Sequence, residues 1–367
     1  MLGNIVPFND LTRIHKEIKK TVVKNFNEII DDNKFILNDE IASFEKNFSK
    51  FTNSKYTVSC ANGTDAIELI LRSLNIGFGD EVIIPANSFI ATAFAVSRCG
   101  ATPIFVDNDE FYLIDIKEAE KAITKKTKAI IAVNLYGQLA DLQKLSTITK
   151  KYSLYLIEDS AQSHGAYNHK FNNNLSIASA YSFYPGKNLG AWGDGGAVTT
   201  NNKKVFEKIK LLRNVGSKQK YEHEIIGYNS RPQPLLGIVL NEKLKNLHEW
   251  NRQRNEIADI YLNELKDNKN IVLPKRKGNN YHVWHLFVVR VKNRNKFFDN
   301  FENHKVEFGI HYPVPIHRQN AYKAHKQFRS KISNADLFSK KLLSLPIFPR
   351  MKKKEINKVI EVLNDFA

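Results

Sequence analysis

The sequence predicts an α/β protein, with a mostly parallel sheet between helices in a large first unit and a small α+β unit at the C-terminal end. Three observations carry that reading. Runs that are apolar throughout recur between residues 56 and 200, each of strand length and too brief for a helix. Segments with helical spacing of apolar residues separate them, and apolar strands alternating with helices build sheets covered on both faces. The chain has 367 residues, 42% of them hydrophobic, which suits one large core and a second, smaller one.

In chain order, apolar spacing predicts helices over Leu11 to Ile30 and Ile41 to Phe51. The stretch YTVSCANGTDAIELILRSL joins a strand to a helix bearing Ile67, Ile70, Leu71 and Leu74, with Asn62 or Thr64 as its cap. Strands follow at Val82 to Ala86, Pro103 to Asp107, Ala129 to Gly137 and Leu154 to Asp159, and helices at Phe89 to Cys99, Ile116 to Ile123 and Leu139 to Tyr152. AYSFY, from Ala180, reads as a buried strand that Pro185 and Gly186 break, and GAVTT, ending at Thr200, as the next strand. A helix over Lys203 to Arg213 leads into a long polar loop, where Pro232 and Pro234 keep Ser230 to Gln233 out of regular helix. Asn241 to Asp267 reads as one long helix, with the boundary between a large unit (1–250) and a small one (251–367) near its middle. The remainder offers a strand in HVWHLFVVRV, a helix around Arg294 to His304, an extended GIHYPVPIH and a terminal helix from Glu355.

The 55 Lys and Arg against 38 Asp and Glu leave a net charge of +17. Basic residues are scattered, apart from Lys275-Arg276-Lys277 and Lys352-Lys353-Lys354, and no nucleic-acid-binding signature accompanies them. Three readings stay open: a solvated lysine-rich surface, attraction for phosphate-bearing small molecules, or a basic regulatory or nucleic-acid-binding protein. The last would bind DNA or RNA in a salt-dependent way. No apolar run approaches a membrane span, and no basic segment followed by an apolar one marks a signal peptide at the start. Cys60 and Cys99 lack metal or CxxC spacing. A cytoplasmic protein with two buried thiols and no metal site is expected.

The chemistry concentrates between Ala180 and Thr200, AYSFYPGKNLGAWGDGGAVTT. Lys187 follows the Pro-Gly turn at a strand end, ahead of a loop too glycine-rich to shield it. Most lysines are surface charges. One held in this way can condense with an aldehyde such as that of pyridoxal phosphate (PLP). Asp159 ends an apolar strand, at the rim where ligands bind in parallel sheets. A carboxylate there either caps the next helix or holds a pyridine nitrogen protonated. At the helix that starts near Gly63 and Thr64, free N–H groups and the dipole offer a phosphate site, or an ordinary cap.

ANGTDA, EDSAQSHGA and SFYPGKNLGAWGDGGAVTT occur in that order, and together they resemble the DegT/DnrJ/StrS-type nucleotide-sugar aminotransferases, fold-type I PLP enzymes. The resemblance runs from IVPFNDL to SLPIFP. It implies an aspartate aminotransferase-like fold with a seven-stranded sheet. It also implies that Lys187 is the Schiff-base lysine and proton shuttle, that Asp159 pairs with the pyridinium nitrogen, and that Gln162 sits near the phenolic oxygen. Gly63, Thr64 and Ser182 would bind the phosphate, and Phe89 would stack on the ring. Asn229 would reach the cofactor of a neighbouring subunit, so a homodimer with shared active sites is implied. His311 and Tyr312 would face the substrate.

The implied reaction moves an amino group from glutamate to a keto sugar on a nucleoside diphosphate, in ping-pong fashion. The HYPVPIH and FYPGKNLGA segments look most like those of enzymes aminating a dTDP-3-keto-6-deoxyhexose, for amino-sugar and surface polysaccharide (O-antigen) synthesis. A 4-keto nucleotide sugar, a keto-cyclitol, and a homologue that binds PLP without turnover are the alternatives. Relatives with histidine in place of the lysine become dehydratases, so Lys187 favours transamination. The chain departs from the pattern twice. Pro232 and Pro234 stand where relatives open a helix with QAA, and Asn134 stands where HLYG is common, which is expected to alter the sugar pocket.

Overall fold

The structure, a computed structural model, describes residues 5–169, 175–324 and 331–365. Strands β1 (Tyr56–Cys60), β2 (Glu81–Pro85), β3 (Thr102–Val106), β4 (Thr127–Val133), β5 (Tyr155–Asp159), β6 (Ala178–Ser182) and β7 (Gly196–Thr200) form a seven-stranded sheet. Their order is β1-β7-β6-β5-β4-β2-β3, and β7 alone runs against its neighbours. Successive side chains point to opposite faces of a strand. Ile84, Ile131, Ile157 and Val198 accordingly enter one core, while Ile83, Ile130 and Leu156 enter another.

The first of these cores is covered by α3 (Gly63–Ser73), α4 (Ala91–Arg98) and α7 (Lys203–Arg213), and the second by α5 (Ile116–Lys121) and α6 (Leu142–Lys151). Upstream, α1 (Thr12–Asp32) and α2 (Asp39–Phe51) pack against α8 (Pro234–Leu244). Side-chain oxygens of Asn38, Asn62, Asp115, Asp141 and Asn202 cap α2, α3, α5, α6 and α7, so polar residues start these helices where the sequence places them. Pro234 opens α8, a position where its missing N–H costs nothing.

The predicted helix over 241–267 is two helices. The chain leaves α8 at Leu244 and begins α9 (Leu247–Glu264) after two intervening residues. Apolar spacing runs unbroken through the junction with no Gly or Pro to mark it. Packing decides the break, because α8 packs with α1 and α2 while Ile257, Ala258 and Tyr261 of α9 join a separate C-terminal apolar core. That core lies on a three-stranded antiparallel sheet of β8 (Ile271–Val272), β9 (Phe287–Val291) and β10 (Leu342–Leu345). It is flanked by α10 (Arg294–Asn303) and α12 (Lys353–Asn364). The strand predicted over 282–291 starts only at Phe287. Val283 and Leu286 instead donate their N–H groups to the carbonyls of Gly137 and Tyr136, which draws this segment over the large sheet.

The chain crosses between these cores at both ends: Val6 enters the C-terminal core and pairs with Val306, while Ile316, Tyr322, Ile332 and Ala335, the last from α11 (Asn334–Ser339), enter the core of the large sheet. Both cysteines are free and buried. No helix among the described residues is long and apolar enough to cross a membrane.

Candidate active site

β5 ends at Asp159, β6 ends at Ser182, and Asn62 and Gly63 follow the end of β1, all at one rim of the sheet. A cleft of about 610 Å³ opens there, closed from the other side by His285, Leu286, His311, Tyr312 and Ile347. Lys187, Asp159, Gly63, Thr64, Phe89, Gln162, Ser182, His311 and Tyr312 all line it. Asn229 does not. It is exposed, and its backbone is bridged to Asn214.

The lysine turn is tightly held. The N–H of Lys187 donates to the Tyr184 carbonyl at 2.9 Å, and the N–H of Ala191 closes back on the Phe183 carbonyl at 2.7 Å. The buried Asn188 amide donates to Asn251 Oδ1 and to the Val283 carbonyl, each at 2.9 Å, and its oxygen faces His285 Nδ1 at 3.1 Å. The turn is thereby tied to α9 and to the segment that closes the cleft. Burial pushes the Lys187 amine down to about 8, against the nearby Asp159 carboxylate, which favours the charged form.

Asp159 is 6% exposed, and burial raises its carboxyl group. The Thr92 hydroxyl on Oδ2 at 2.8 Å, the Ala161 N–H on Oδ1 at 3.2 Å and the charge of Lys187 pull the other way. Burial and then the charge of Lys187 push His311 down to about 4, and burial above all holds His285 well below its ordinary value. Both are neutral near pH 7. The cleft therefore presents Lys187, Asp159 and Asp194 as its charged side chains among those described.

Gln162 accepts from the Tyr136 N–H at 2.7 Å and donates to the Tyr312 hydroxyl at 3.1 Å. One N–H of its amide remains for a ligand. The Phe89 and Tyr312 rings stand 5.7 Å apart, and Phe8 stacks on His311 at 5.7 Å.

Residues 16–364 match the DegT/DnrJ/EryC1/StrS aminotransferase family. The chain belongs to that family. A relative named dTDP-3-amino-3,6-dideoxy-alpha-D-galactopyranose transaminase, from Aneurinibacillus thermoaerophilus, is 44% identical over 365 residues, covering 99% of this chain and all of the relative. A dTDP-3-amino-3,4,6-trideoxy-alpha-D-glucose transaminase from Streptomyces venezuelae is 38% identical, covering 99% and 96%. Among solved structures, S. venezuelae DesV in complex with a ketimine intermediate matches with a TM-score of 0.96 at 37% identity, over 99% of this chain and 98% of that one. NtdA from Bacillus subtilis, with bound cofactor PMP, matches with a TM-score of 0.90 at 31% identity, over 95% and 82%.

Within this aminotransferase fold, Asn134 is not where the sequence comparison suggested. It is wholly buried behind the rim, donating to Glu158 Oε2 at 2.9 Å and Ser160 Oγ at 3.1 Å and accepting from the Ala140 N–H at 2.9 Å. It does not line the cleft, so it braces the sheet end instead of shaping a sugar pocket. Sequence reasoning also missed Phe8, Asn9 and His285, which line the cleft from distant parts of the chain, and Thr92, which grips Asp159. Phe8 and Asn9 sit inside the quoted IVPFNDL stretch, and that was the available signal. A lone threonine in a helix gave none.

Proposed function

We propose that this aminotransferase uses PLP to move an amino group from glutamate to the keto carbon of a nucleotide-linked deoxysugar, with dTDP-3-keto-6-deoxyhexose as the preferred acceptor. The observation that carries the reading is the single cleft in which a buried amine, Lys187, and a buried carboxylate, Asp159, face each other. The naming of the 44% identical relative as a dTDP-3-amino-dideoxysugar transaminase supports the acceptor. The proposal includes a homodimer in which Asn229 serves the partner's site, a cytoplasmic location, and the division of the chain near residue 250.

The residues fit the cofactor. A Cβ on Gly63 would stand 2.7 Å from Ser182 Cβ, so only glycine lets the first turn of α3 close on the end of β6. The N–H groups of that turn and the Ser182 hydroxyl then converge on one spot, suited to a phosphate. Asp159 would hold the ring nitrogen, Gln162 the phenolic oxygen, and Phe89 one ring face. PLP, when bound, supplies an aldehyde that captures amines and a cationic ring that withdraws electrons.

The chain's own residues do the rest. Lys187 Nζ, with its proton affinity lowered by burial, is neutral in roughly a tenth of molecules at pH 7 and about half at pH 8. With its amine free, Lys187 would take up a proton and return it, which is general acid–base work at one atom. Burial raises the Asp159 carboxyl group, and the Thr92 hydroxyl, the Ala161 N–H and the charge of Lys187 favour its charged form, the form that would hold a positive ring nitrogen. Tyr312, Phe89 and His311 wall the cleft and limit water around the reacting carbon.

The test is the visible spectrum of the purified protein with PLP, before and after glutamate, beside Lys187→Ala. A band that depends on Lys187 and fades with glutamate supports the reading, and candidate 3-keto and 4-keto nucleotide sugars are then compared by product analysis. Absence of any Lys187-dependent band overturns it.

A further inference from the structure

Ser88, Thr92 and Asp159 form a buried relay in the wall of the cleft, which Ser88 and Asp159 line and Thr92 joins from behind. Ser88 Oγ lies 2.9 Å from Thr92 Oγ1, which lies 2.8 Å from Asp159 Oδ2. All three residues are buried, Thr92 completely. An ionised carboxylate only accepts and a hydroxyl carries a single proton. Thr92 therefore donates to Asp159, which obliges Ser88 to donate to Thr92. The relay has one direction for as long as Asp159 is charged.

The same two hydroxyls bracket Phe89. Ser88 precedes it, and the Thr92 N–H donates to the Phe89 carbonyl at 3.2 Å. Phe89 is 54% exposed and lines the cleft. A buried threonine in a helix ordinarily turns its hydroxyl back to a carbonyl one turn earlier. Thr92 instead reaches across to the end of β5, so one bond sets the spacing between the carboxylate at the sheet rim and the aromatic wall.

We propose that Thr92, oriented by Ser88, is a positioning residue that fixes the direction of the Asp159 carboxylate and its distance from Phe89, so that a cationic ring nitrogen is received between them. This rests on the PLP reading above. Thr92 acts through Asp159 and makes no bond to substrate. The titratable groups facing Asp159 are Lys187 and Tyr312. Burial already favours the neutral carboxyl, and loss of the Thr92 hydrogen bond favours it further.

The experiment compares wild type with Thr92→Val, Thr92→Ser and Ser88→Ala, all as apoproteins. Three readouts are taken: PLP affinity across pH 5.5 to 9, the titration of Asp159 by carbon NMR without cofactor, and the melting temperature. Thr92→Val, which keeps the shape and drops the hydroxyl, is expected to bind PLP about ten-fold or more weakly. Its Asp159 midpoint and the acid limb of PLP binding both move to higher pH. Thr92→Ser recovers most of the affinity and the midpoint, and Ser88→Ala shifts the midpoint less, in the same direction as Thr92→Val.

A wild-type midpoint and affinity in Thr92→Val overturn the proposal, as does a Thr92→Ser variant as impaired as Thr92→Val, since size and not the hydroxyl would then matter. Should Thr92→Val fail to fold, an unchanged Asp159 midpoint in Ser88→Ala overturns it. A wild type that forms no Lys187-dependent band defeats the cofactor reading instead, and the NMR titration still decides the relay.

Discussion

Lys243 Nζ, on α8 and 1% exposed, donates to the carbonyl of Gly190, three residues past Lys187, at 2.5 Å. Its other partner is His15 Nε2 at 3.0 Å, and burial pushes the amine down to about 7. Above pH 8 this lysine is mostly neutral, so replacing it removes a hydrogen bond without relieving a buried charge. Lys243→Met is expected to cost about 1–3 kcal/mol at pH 8.5, through the Gly190 carbonyl left unpaired. Denaturant unfolding checks this, and an unchanged midpoint would mean that water replaces the bond.

Lys187 makes the stability of the apoprotein pH-dependent. Its folded value of about 8 lies below the ordinary 10.5, so between them the unfolded chain holds a proton that the folded protein lacks. Stability from this group therefore rises with pH through that window, and below about 8 the folded protein carries the full penalty of a buried charge. Lys187→Met lacks the penalty. Its stability relative to wild type should be greatest near pH 7 and should decline toward pH 10.5. A pH-independent difference would show that the amine is solvated.

Much of this arrangement was legible in the sequence. Apolar strands alternating with helices led to the sheet, and the glycine-rich segment around Lys187 led to the cleft. Both signals are local and carried by adjacent residues. The break at Lys245 and Asn246 was not legible, because it depends on which core each helix meets and no residue there is a helix breaker. Asn134 was misplaced for a related reason: the residues on either side of it, Val133 and Leu135, line the cleft, but alternation at the strand end turns its own side chain to the opposite side, toward Glu158.

That buried pair yields a third prediction. Glu158 accepts from Asn134, Ser176 and Ser179, and burial raises its carboxyl group. Asn134→Leu removes one donor from a buried acid and leaves Ala140 N–H without its acceptor. A loss of about 2–4 kcal/mol is expected, with KM for the sugar unchanged in the protein that remains folded. A raised KM with intact stability would return Asn134 to the substrate side.

Asn229 supplies a test of the shared site. Lys187→Ala and Asn229→Ala chains, each poorly active alone, are mixed and allowed to exchange subunits. If Asn229 serves the partner's cleft, the hybrid holds one intact site, with Lys187 from one chain and Asn229 from the other, and activity returns toward half per dimer. No recovery would mean that Asn229 acts within its own subunit or not at all.

Strand β1 bonds to a single neighbour in its sheet, β7, and the two are separated by more than 130 residues of chain. A ribosome has to deliver residue 200 before Tyr56–Cys60 finds its place, and the turn at Gly63 packs against Ser182 and Gly196, both from the far end of that loop. The first half of the protein consequently waits with an unpaired strand edge, exposed to mispairing. Cofactor binding can then stabilise only chains that have already closed this long loop, so it acts on chains extended past residue 200 and not on shorter nascent ones.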